Sequence, residues 1–245
     1  MNRSLAAPTV SELVSMARDL YPRGPLLLRW KQWYRPRICP FHRLLPHAPV
    51  GSSVLDIGCG GGLWLGLLAV TGGIRLGLGM DASAEAISLA QTMTAWKGQQ
   101  PGAIEYRRLD VTAPWPEGTF DVVSLIDVLH HVPPRHQEAV VRKACARVAP
   151  EGALIYKDMT RRPLWRALAA RIHDAVLARE WIWLIPIEDV EEWAAACGLT
   201  TIHSEVVNQL WYGHVIRVFA RSGRPALGHT ARDQGPEVAN HAGPL

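Results

Sequence analysis

The feature that most constrains the fold is a regular alternation of short apolar runs with segments of helical spacing between residues 52 and 158. Runs rich in Val, Ile and Leu, bounded by Gly, Asp or Pro, are typical of buried strands. Five strands are predicted in this region, at 52–57, 75–81, 104–110, 120–126 and 152–158. Because strands joined by helices form parallel sheets covered on both faces, the pattern indicates an α/β protein.

The pattern changes after residue 158. A basic, apolar helix is predicted within residues 163–185, and a further helix is predicted over 188–197. Two strand-like runs follow close together, LTTIHSEVV and LWYGHVIRVFA, with Asn208 and Gln209 between them. This short connection predicts a hairpin, which adds an antiparallel strand to an otherwise parallel sheet.

Composition indicates the surroundings in which the chain is expected to work. Its four cysteines have neither the CxxC pattern of a zinc site nor the paired spacing of a disulfide framework, which favours a reducing compartment. The first 25 residues carry charges where a secretory leader needs an apolar core. No stretch reaches the roughly 18 apolar residues of a membrane span. A cytoplasmic location is therefore expected.

Basic residues are concentrated early in the chain. Between Arg23 and Arg43 there are six arginines and lysines and no aspartate or glutamate, and Trp30, Trp33 and Tyr34 are interleaved with them. One interpretation is a solvated helix face. The other is a surface that attracts an anionic substrate, partner or lipid headgroup. The sequence leaves both open.

A turn of very small side chains follows the first predicted strand, in the segment VLDIGCGGG at residues 54–62. Glycines between a strand and a helix let a ligand approach bare backbone N–H groups at the positive end of the helix. A triphosphate-binding loop needs a lysine, and neither this turn nor the helix after it contains Lys or Arg. The dinucleotide pattern GxGxxG fails because Leu63 stands at its sixth position. The spacing present is Asp56-x-Gly58-x-Gly60-x-Gly62.

This spacing resembles motif I of the class I S-adenosylmethionine-dependent methyltransferases, and the resemblance continues along the chain. Asp81 closes the second predicted strand, where that family has an acidic residue for the ribose hydroxyls of the cofactor. Asp110 ends the third, where the family has an acidic residue beside the adenine amine. The segment FDVVSLIDVLHHVP resembles the family's fourth-strand region, and the terminal hairpin matches its reversed seventh strand.

The resemblance implies S-adenosyl-L-methionine as the cofactor. It also implies a Rossmann-like, doubly wound seven-stranded sheet, mostly parallel with an antiparallel terminal hairpin strand, plus helical cap segments. Cofactor contacts are implied at Asp56, Gly58, Cys59, Gly60, Gly62, Asp81, Ala82, Asp110, Val111 and Ile126. By residue type alone, the carboxylates of Asp81 and Asp110 could instead cap turns or helices.

The same resemblance divides the chain into regions. Residues 1–49 are expected to form an N-terminal helical cap, and residues 50–220 are expected to form the methyltransferase domain, with a cap insertion at about 159–187. Residues 221–245 are rich in Gly, Pro, Ala and His without periodicity, which predicts a disordered tail.

Methyl transfer is an in-line displacement, so most of the catalysis is expected from positioning of the reactants. A base is needed only for an acceptor that is protonated at the working pH. Open α/β sheets bind ligands at the carboxyl ends of their strands. Among the side chains there, His131 or His130 is the best base, because histidine is the residue type whose ordinary pKa lies nearest neutrality, although a histidine here could instead pack over the cofactor. Asp158, also at a strand end, is expected to orient the substrate or to cap the next segment. The other candidates at these strand ends are Asp127, Tyr156 and Lys157. The histidines form no metal-binding pattern, so no metal is expected.

Two motifs of nucleic-acid methyltransferases are missing from the sequence, and their absence limits the class of methyl acceptor that is expected. The [DNS]PP[YFW] motif of enzymes that methylate nucleobase amino groups does not end the fourth strand, and the Pro-Cys pair of the carbon-5 pyrimidine enzymes is missing. Nucleic acid is therefore not favoured. A small apolar or aromatic acceptor is expected instead, beneath Trp-rich segments at 30–41 and 165–183. Those tryptophans could equally be ordinary core residues.

An acceptor bound to an acyl carrier protein is the alternative form of this prediction. Residues 156–174 are similar to methyltransferases of polyketide and aryl-polyene pathways, and their arginines would suit an acidic carrier. Other functions stay open: methylation of tRNA, rRNA or lipid, and a non-catalytic regulator that binds S-adenosylmethionine. Peripheral membrane contact is compatible with the basic segments, and the sequence does not determine the oligomeric state.

Overall fold

The structure is a computed structural model of the chain. It describes residues 8–72, 74–93, 104–160, 183–210 and 212–221. Most of the predicted cap insertion and nearly all of the predicted tail lie outside these residues, so the structure tests neither prediction.

One seven-stranded sheet forms the centre of the described residues. Its strands are β1 (Ser53–Ile57), β2 (Leu76–Asp81), β3 (Ile104–Arg108), β4 (Phe120–Ile126), β5 (Val148–Met159), β6 (Leu199–Gln209) and β7 (Tyr212–Arg221). They lie in the order β3-β2-β1-β4-β5-β7-β6. β1 to β5 are parallel, whereas β7 pairs antiparallel with both β5 and β6. This confirms the predicted mostly parallel sheet with a reversed terminal hairpin.

Helices cover both faces of the sheet. They are α1 (Val10–Leu20), α2 (Leu26–Ile38), α3 (Phe41–Leu44), α4 (Leu63–Thr71), α5 (Ala84–Met93), α6 (Pro134–Ala146) and α7 (Ile187–Ala196). Short 3-10 helices occupy Leu45–His47 and Leu129–His131. None of the described helices is long and apolar enough to cross a membrane.

Local sequence explains where several helices begin. α1 starts with a capping box, in which Glu12 N donates to Thr9 Oγ1 at 3.2 Å and Thr9 N donates to Glu12 Oε2 at 2.7 Å. α5 follows Ser83, whose hydroxyl accepts a hydrogen bond from Ala86 N at 3.2 Å. α6 starts at Pro134, in the first turn where a proline costs no hydrogen bond.

Two strands differ from their predicted bounds for reasons of pairing. β3 ends at Arg108 instead of residue 110, because Asp110 folds into a turn in which its carboxylate accepts from Thr112 N. β5 begins at Val148 instead of residue 152, because Val148 pairs with Phe120 across a register shift. The first change leaves Asp110 in a loop beyond the sheet.

An apolar core lies on each face of the sheet. On one face, Leu13 of α1 and Phe41 of α3 belong to the same buried cluster as Val54 of β1. On the other face, Val140 of α6 packs in a cluster with Leu55 of β1. The N-terminal helices therefore share a core with the sheet.

Candidate active site

A cleft of about 750 Å³ opens at the carboxyl edge of the sheet. Ile57 lies opposite both Met80 and Leu125, so β1, β2 and β4 end together at this edge and their loops form the cleft walls. Six of the ten predicted cofactor contacts line it. They are Gly58, Gly60, Asp81, Ala82, Asp110 and Val111.

The loop between β1 and α4 is held against β2 by its own backbone. The N–H groups of Gly58 and Cys59 both donate to Met80 O, at 2.8 and 3.0 Å. Gly58 and Gly60 have φ angles of 67° and 53°, in the left-handed region that glycine adopts without strain. A Cβ on Gly58 would lie 2.2 Å from Val128 Cγ2. Glycine therefore permits the turn, and it leaves bare backbone toward the cleft.

Asp81 and Asp110 shape the loops that carry them. Asp81 Oδ2 accepts from Gly60 N and its Oδ1 accepts from Ser83 N, both at 2.8 Å. Asp110 Oδ1 accepts from Thr112 Oγ1 at 2.6 Å and from Thr112 N at 2.8 Å, and these bonds hold the pKa of Asp110 below its ordinary value. Each carboxylate thus fixes a turn, as its residue type alone predicts, and also lines the cleft, where its contact with the cofactor stays a prediction.

Asp56, Cys59 and Ile126 lie deeper, around a small recess that shares Arg35 with the cleft. Asp56 is buried, and Ser124 Oγ donates to its Oδ1 at 2.7 Å. Burial raises the pKa of Asp56 to about 7, although the Ser124 hydrogen bond opposes the shift. This carboxyl group can therefore gain or lose its proton near neutral pH.

Gly62, the tenth predicted contact, lies beneath the loop and not in the cleft lining. It precedes α4 with a φ angle of 83°, and a Cβ there would lie 2.6 Å from Tyr106 Oη. Two buried tyrosines anchor the loop from this side: Tyr21 Oη donates to Gly61 O at 2.7 Å and Tyr106 Oη donates to Gly62 O at 3.4 Å. Gly62 thus supports the loop that forms the site.

A second cavity, of about 200 Å³, adjoins the cleft and is called the side cavity below. Arg35, Asp127 and His131 line both spaces, so the two meet at these residues. The other described residues that line the side cavity are Ile38, His130, Lys157, Met159, Tyr212 and His214. Trp30 and Trp33 of the aromatic stretch line neither space; Trp30 is exposed and Trp33 packs against the core.

An ionic cluster lies where the two cavities meet. Asp127 follows β4 with a φ angle of 56°, which is uncommon for a residue other than glycine. Its carboxylate contacts the ammonium of Lys157, which is 1% exposed, and lies 3.5 Å from Arg35 Nη2. Burial alone would raise the pKa of Asp127, but the two cations outweigh that effect and hold its pKa well below the ordinary range. All three groups are therefore charged.

Two of the predicted catalytic residues form a buried pair. His130 Nδ1 lies 2.5 Å from Asp158 Oδ1, and both side chains are buried. Asp158 Oδ1 also accepts from Met159 N at 2.8 Å, which fixes the carboxylate. A carboxylate on Nδ1 favours the tautomer with the proton on that atom, so Nε2 is the basic nitrogen. His131 is exposed, and its ring centroid lies 4.1 Å from that of His130.

The same region contains a group with metal-ligand chemistry. Asp127, His130 and Asp158 each place one potential ligand atom within 4.8 Å of the others. Lys157 already contacts the Asp127 carboxylate, and His130 and Asp158 are bonded to each other. A metal cation among them would face the Lys157 ammonium, so the geometry favours a network of charge pairs.

The sequence does not identify three of the polar residues at the side cavity. Arg35 lies in the basic stretch, where nothing distinguishes it from neighbouring arginines except the phase of α2. Tyr212 and His214 lie on β7, whose sequence indicates a strand and nothing about its neighbours. A correct helix phase is the one signal that could have selected Arg35.

The cleft fits S-adenosylmethionine by its chemistry. Backbone exposed at Gly58 and Gly60 leaves room for the amino-acid end, and the carboxylates of Asp81 and Asp110 can accept from ribose hydroxyls and from the adenine amine. Its volume is that of a typical ligand pocket. A mostly parallel sheet with a reversed last strand, a glycine loop after β1 and carboxylates after β2 and β3 define a class I S-adenosylmethionine-dependent methyltransferase.

The chain belongs to the methyltransferase domain family, whose model matches residues 30–204. Among its curated relatives, a ubiquinone biosynthesis O-methyltransferase of Albidiferax ferrireducens is 32% identical over 151 residues, which are 60% of this chain and 52% of that protein. One of Paracidovorax citrulli is 28% identical over 224 residues, 89% of this chain and 86% of that protein. The aligned part spans about half the length of several of these relatives.

Solved structures share the fold. Magnesium protoporphyrin IX methyltransferase from Synechocystis PCC 6803 with bound SAH is 19% identical, with a TM-score of 0.62 over 86% of this chain and 95% of that one. An O-methyltransferase family protein from Burkholderia thailandensis is 20% identical, with a TM-score of 0.63 over 90% of this chain and 65% of that one. Family and fold together identify S-adenosyl-L-methionine as the cofactor, as the sequence predicts.

Proposed function

We propose that the protein transfers a methyl group from S-adenosylmethionine to a hydroxyl oxygen of a small acceptor in the side cavity. The observation that carries this proposal is the buried pair of His130 and Asp158, because His130 lines a cavity that joins the cofactor cleft. A base at this place is what an acceptor with an O–H bond requires.

The residues of the chain have distinct roles in this proposal. Bound S-adenosylmethionine supplies a methyl group on a positively charged sulfur. His130 Nε2 takes the acceptor proton while the acceptor oxygen gains the methyl group, whose bond to sulfur breaks and leaves S-adenosylhomocysteine. Asp158 stabilises the imidazolium that forms. Asp158 is thus a positioning residue that orients the base. This role differs from the two that the sequence predicts, which are orienting the substrate and capping the next segment. His131 lines both spaces, and its role in this proposal is to shield the acceptor and the cofactor from solvent.

The acceptor class is supported by the cavity and by the relatives. The side cavity combines apolar Ile38 and Met159 with ionisable side chains, which suits a ring that carries polar substituents. Relatives named ubiquinone biosynthesis O-methyltransferases favour a hydroxylated aromatic acceptor for this chain too. A carrier-bound acceptor depends on arginines at 161, 162, 166 and 171, which lie outside the described residues.

Transfer of a labelled methyl group to a panel of acceptors tests the reaction. The panel contains catechols, phenols, aryl acids, acyl-carrier conjugates, lipids and tRNA, and we expect methyl ethers of the hydroxylated aromatic compounds. Binding of S-adenosylhomocysteine without transfer to any acceptor would instead favour a non-catalytic cofactor-binding protein. Transfer only to tRNA or to carrier conjugates would contradict the proposed hydroxylated aromatic acceptor, but it would leave S-adenosylmethionine as the methyl donor.

Adjacent histidines provide a matched pair of variants. We expect His130→Gln to lower kcat by about 10²–10⁴-fold, the usual contribution of a positioned base. His131→Gln should have a much smaller effect, and calorimetry should show unchanged S-adenosylhomocysteine affinity in His130→Gln. Equal kcat losses in the two variants would show that His130 only packs over the site.

A further inference from the structure

Exposed apolar side chains are concentrated at the start of α2. Leu26, Leu27 and Trp30 are 73%, 67% and 50% exposed, although large apolar residues usually lie in the core. Trp30 stacks on Tyr34 with ring centroids 5.3 Å apart and nearly parallel planes. The aromatic pair therefore extends the apolar patch along the helix.

Basic side chains surround this patch. Lys31 is exposed within it, and Arg23 is exposed just before the helix begins. Neither of them has a carboxylate partner among the residues that the structure describes. The sequence contains no aspartate or glutamate between Asp19 and Asp56, so the whole surrounding segment is positive.

α2 has an outer and an inner side. Since successive residues turn by about 100° around a helix, six outward positions fall within about 140° of one another. They are Leu26, Leu27, Trp30, Lys31, Tyr34 and Arg37. The inner side carries Gln32, which lies against Gly61 of the cofactor loop, and Arg35, which lines the cleft and the side cavity.

We propose that this outer face of α2 binds the surface of a membrane that contains anionic phospholipids. Leucine and tryptophan side chains suit the boundary between acyl chains and headgroups, where Trp and Tyr are enriched. Unpaired Lys and Arg beside them suit anionic headgroups. A protein partner matches this surface less well, because the centres of protein interfaces are depleted in lysine.

Docking through this face has a consequence for the active site. Arg35 lies on the same helix, about 40° further around it than Lys31, so the side cavity adjoins the edge of this face. If the proposed function is correct, an apolar acceptor dissolved in the bilayer would enter from that side. The docking itself does not depend on the identity of the acceptor.

Co-sedimentation of the full chain with lipid vesicles tests the proposal. We expect binding to vesicles of phosphatidylcholine mixed with phosphatidylglycerol, weak binding to phosphatidylcholine alone, and loss of binding as salt rises. The variant Leu26→Ser with Leu27→Ser should lower the vesicle partition coefficient by roughly a hundredfold, because each buried leucine contributes more than a factor of ten. Its S-adenosylhomocysteine affinity and circular dichroism should be unchanged.

Matched controls separate this face from the rest of the surface. Val50 is 80% exposed in the loop before β1, so Val50→Ser removes an equally exposed apolar side chain and should leave binding intact. Arg23→Glu with Lys31→Glu should weaken binding to anionic vesicles, whereas Arg142→Glu on α6 should not. No binding of the wild type, or equal binding by the leucine variant, would overturn the proposal. If the wild type is a dimer and only the leucine variant is a monomer, the face binds a second copy of the chain and not a membrane.

Discussion

At the scale of single residues, Asp127 is the carboxylate that pairs with both cations where the cleft and the side cavity meet. It pairs with Lys157 of β5 and with Arg35 of α2, and its own backbone has the left-handed φ angle noted above. Such a conformation costs about 1–3 kcal/mol and persists only where surrounding contacts impose it. Here the backbone of Asp127 is held by its N–H bond to Lys157 O at 2.9 Å.

Replacing this carboxylate should be costly. Asp127→Asn leaves the buried Lys157 ammonium without its partner, and we expect a loss of about 3–5 kcal/mol in the free energy of unfolding, measured by urea denaturation. The exposed pair of Glu138 and Arg142 is the matched control, and Glu138→Gln should cost less than about 1 kcal/mol.

A double variant distinguishes an unpaired charge from a lost contact. Asp127→Asn combined with Lys157→Met removes both charges, so it should be more stable than Asp127→Asn alone. The single variant Lys157→Met completes the comparison. If the loss in the double variant equals the sum of the losses in Asp127→Asn and Lys157→Met, the two charges are not coupled and each side chain acts through its packing.

At the scale of elements, the loop between β1 and α4 forms one wall of the cleft at the carboxyl edge of the sheet. A glycine can be required for two reasons: its backbone has a left-handed φ angle, or a neighbouring atom occupies the place where a Cβ would lie. Both apply to Gly58, because Val128 fills the position that its Cβ would take. Gly118, which lies outside this loop in the turn before β4, has a φ angle of 99° and nothing within 4 Å of the position that its Cβ would take.

Gly58→Ala and Gly118→Ala therefore form a matched pair. Both should lose about 1–2 kcal/mol of unfolding free energy through backbone strain. Only Gly58→Ala should also displace the loop and weaken S-adenosylhomocysteine binding, which calorimetry measures. If both variants bound the ligand like the wild type, the glycine loop would not be part of the cofactor site.

At this scale, some features of the fold could be predicted from short stretches of the sequence and others could not. The strand–helix alternation, the reversed hairpin and the glycine turn at Gly58 were predictable, because each depends on short-range periodicity or on a single turn. The ends of β3 and β5 were not, because they depend on the Asp110 turn and on pairing with Phe120.

At the scale of the whole molecule, the N-terminal helices and the sheet form one packed unit in the described residues. Leu13 of α1 is fully buried and belongs to the core cluster that includes Val54 and Ile216 of the sheet. The helical cap predicted over 1–49 and the domain predicted over 50–220 should therefore unfold together.

Leu13→Ala tests this cooperativity. We expect it to lower the free energy of unfolding of the whole chain by about 2–5 kcal/mol, with one urea transition seen equally by tryptophan fluorescence and by far-ultraviolet circular dichroism. Val50→Ala, at an exposed position, should have almost no effect. Two separate transitions would show that the cap folds as an independent unit.

The sequence by itself determined the α/β sheet, the glycine loop after β1 and the carboxylates beside it. Those features lie on consecutive strand–turn–helix units, and their residue types are required by local backbone geometry. Only the tertiary structure decided the side cavity. Arg35 and Asp127 are 92 positions apart in the chain, and His130 reaches Asp158 across 28 positions. Such contacts depend on which helix packs against which strand and on how the strands align, and no local pattern records either.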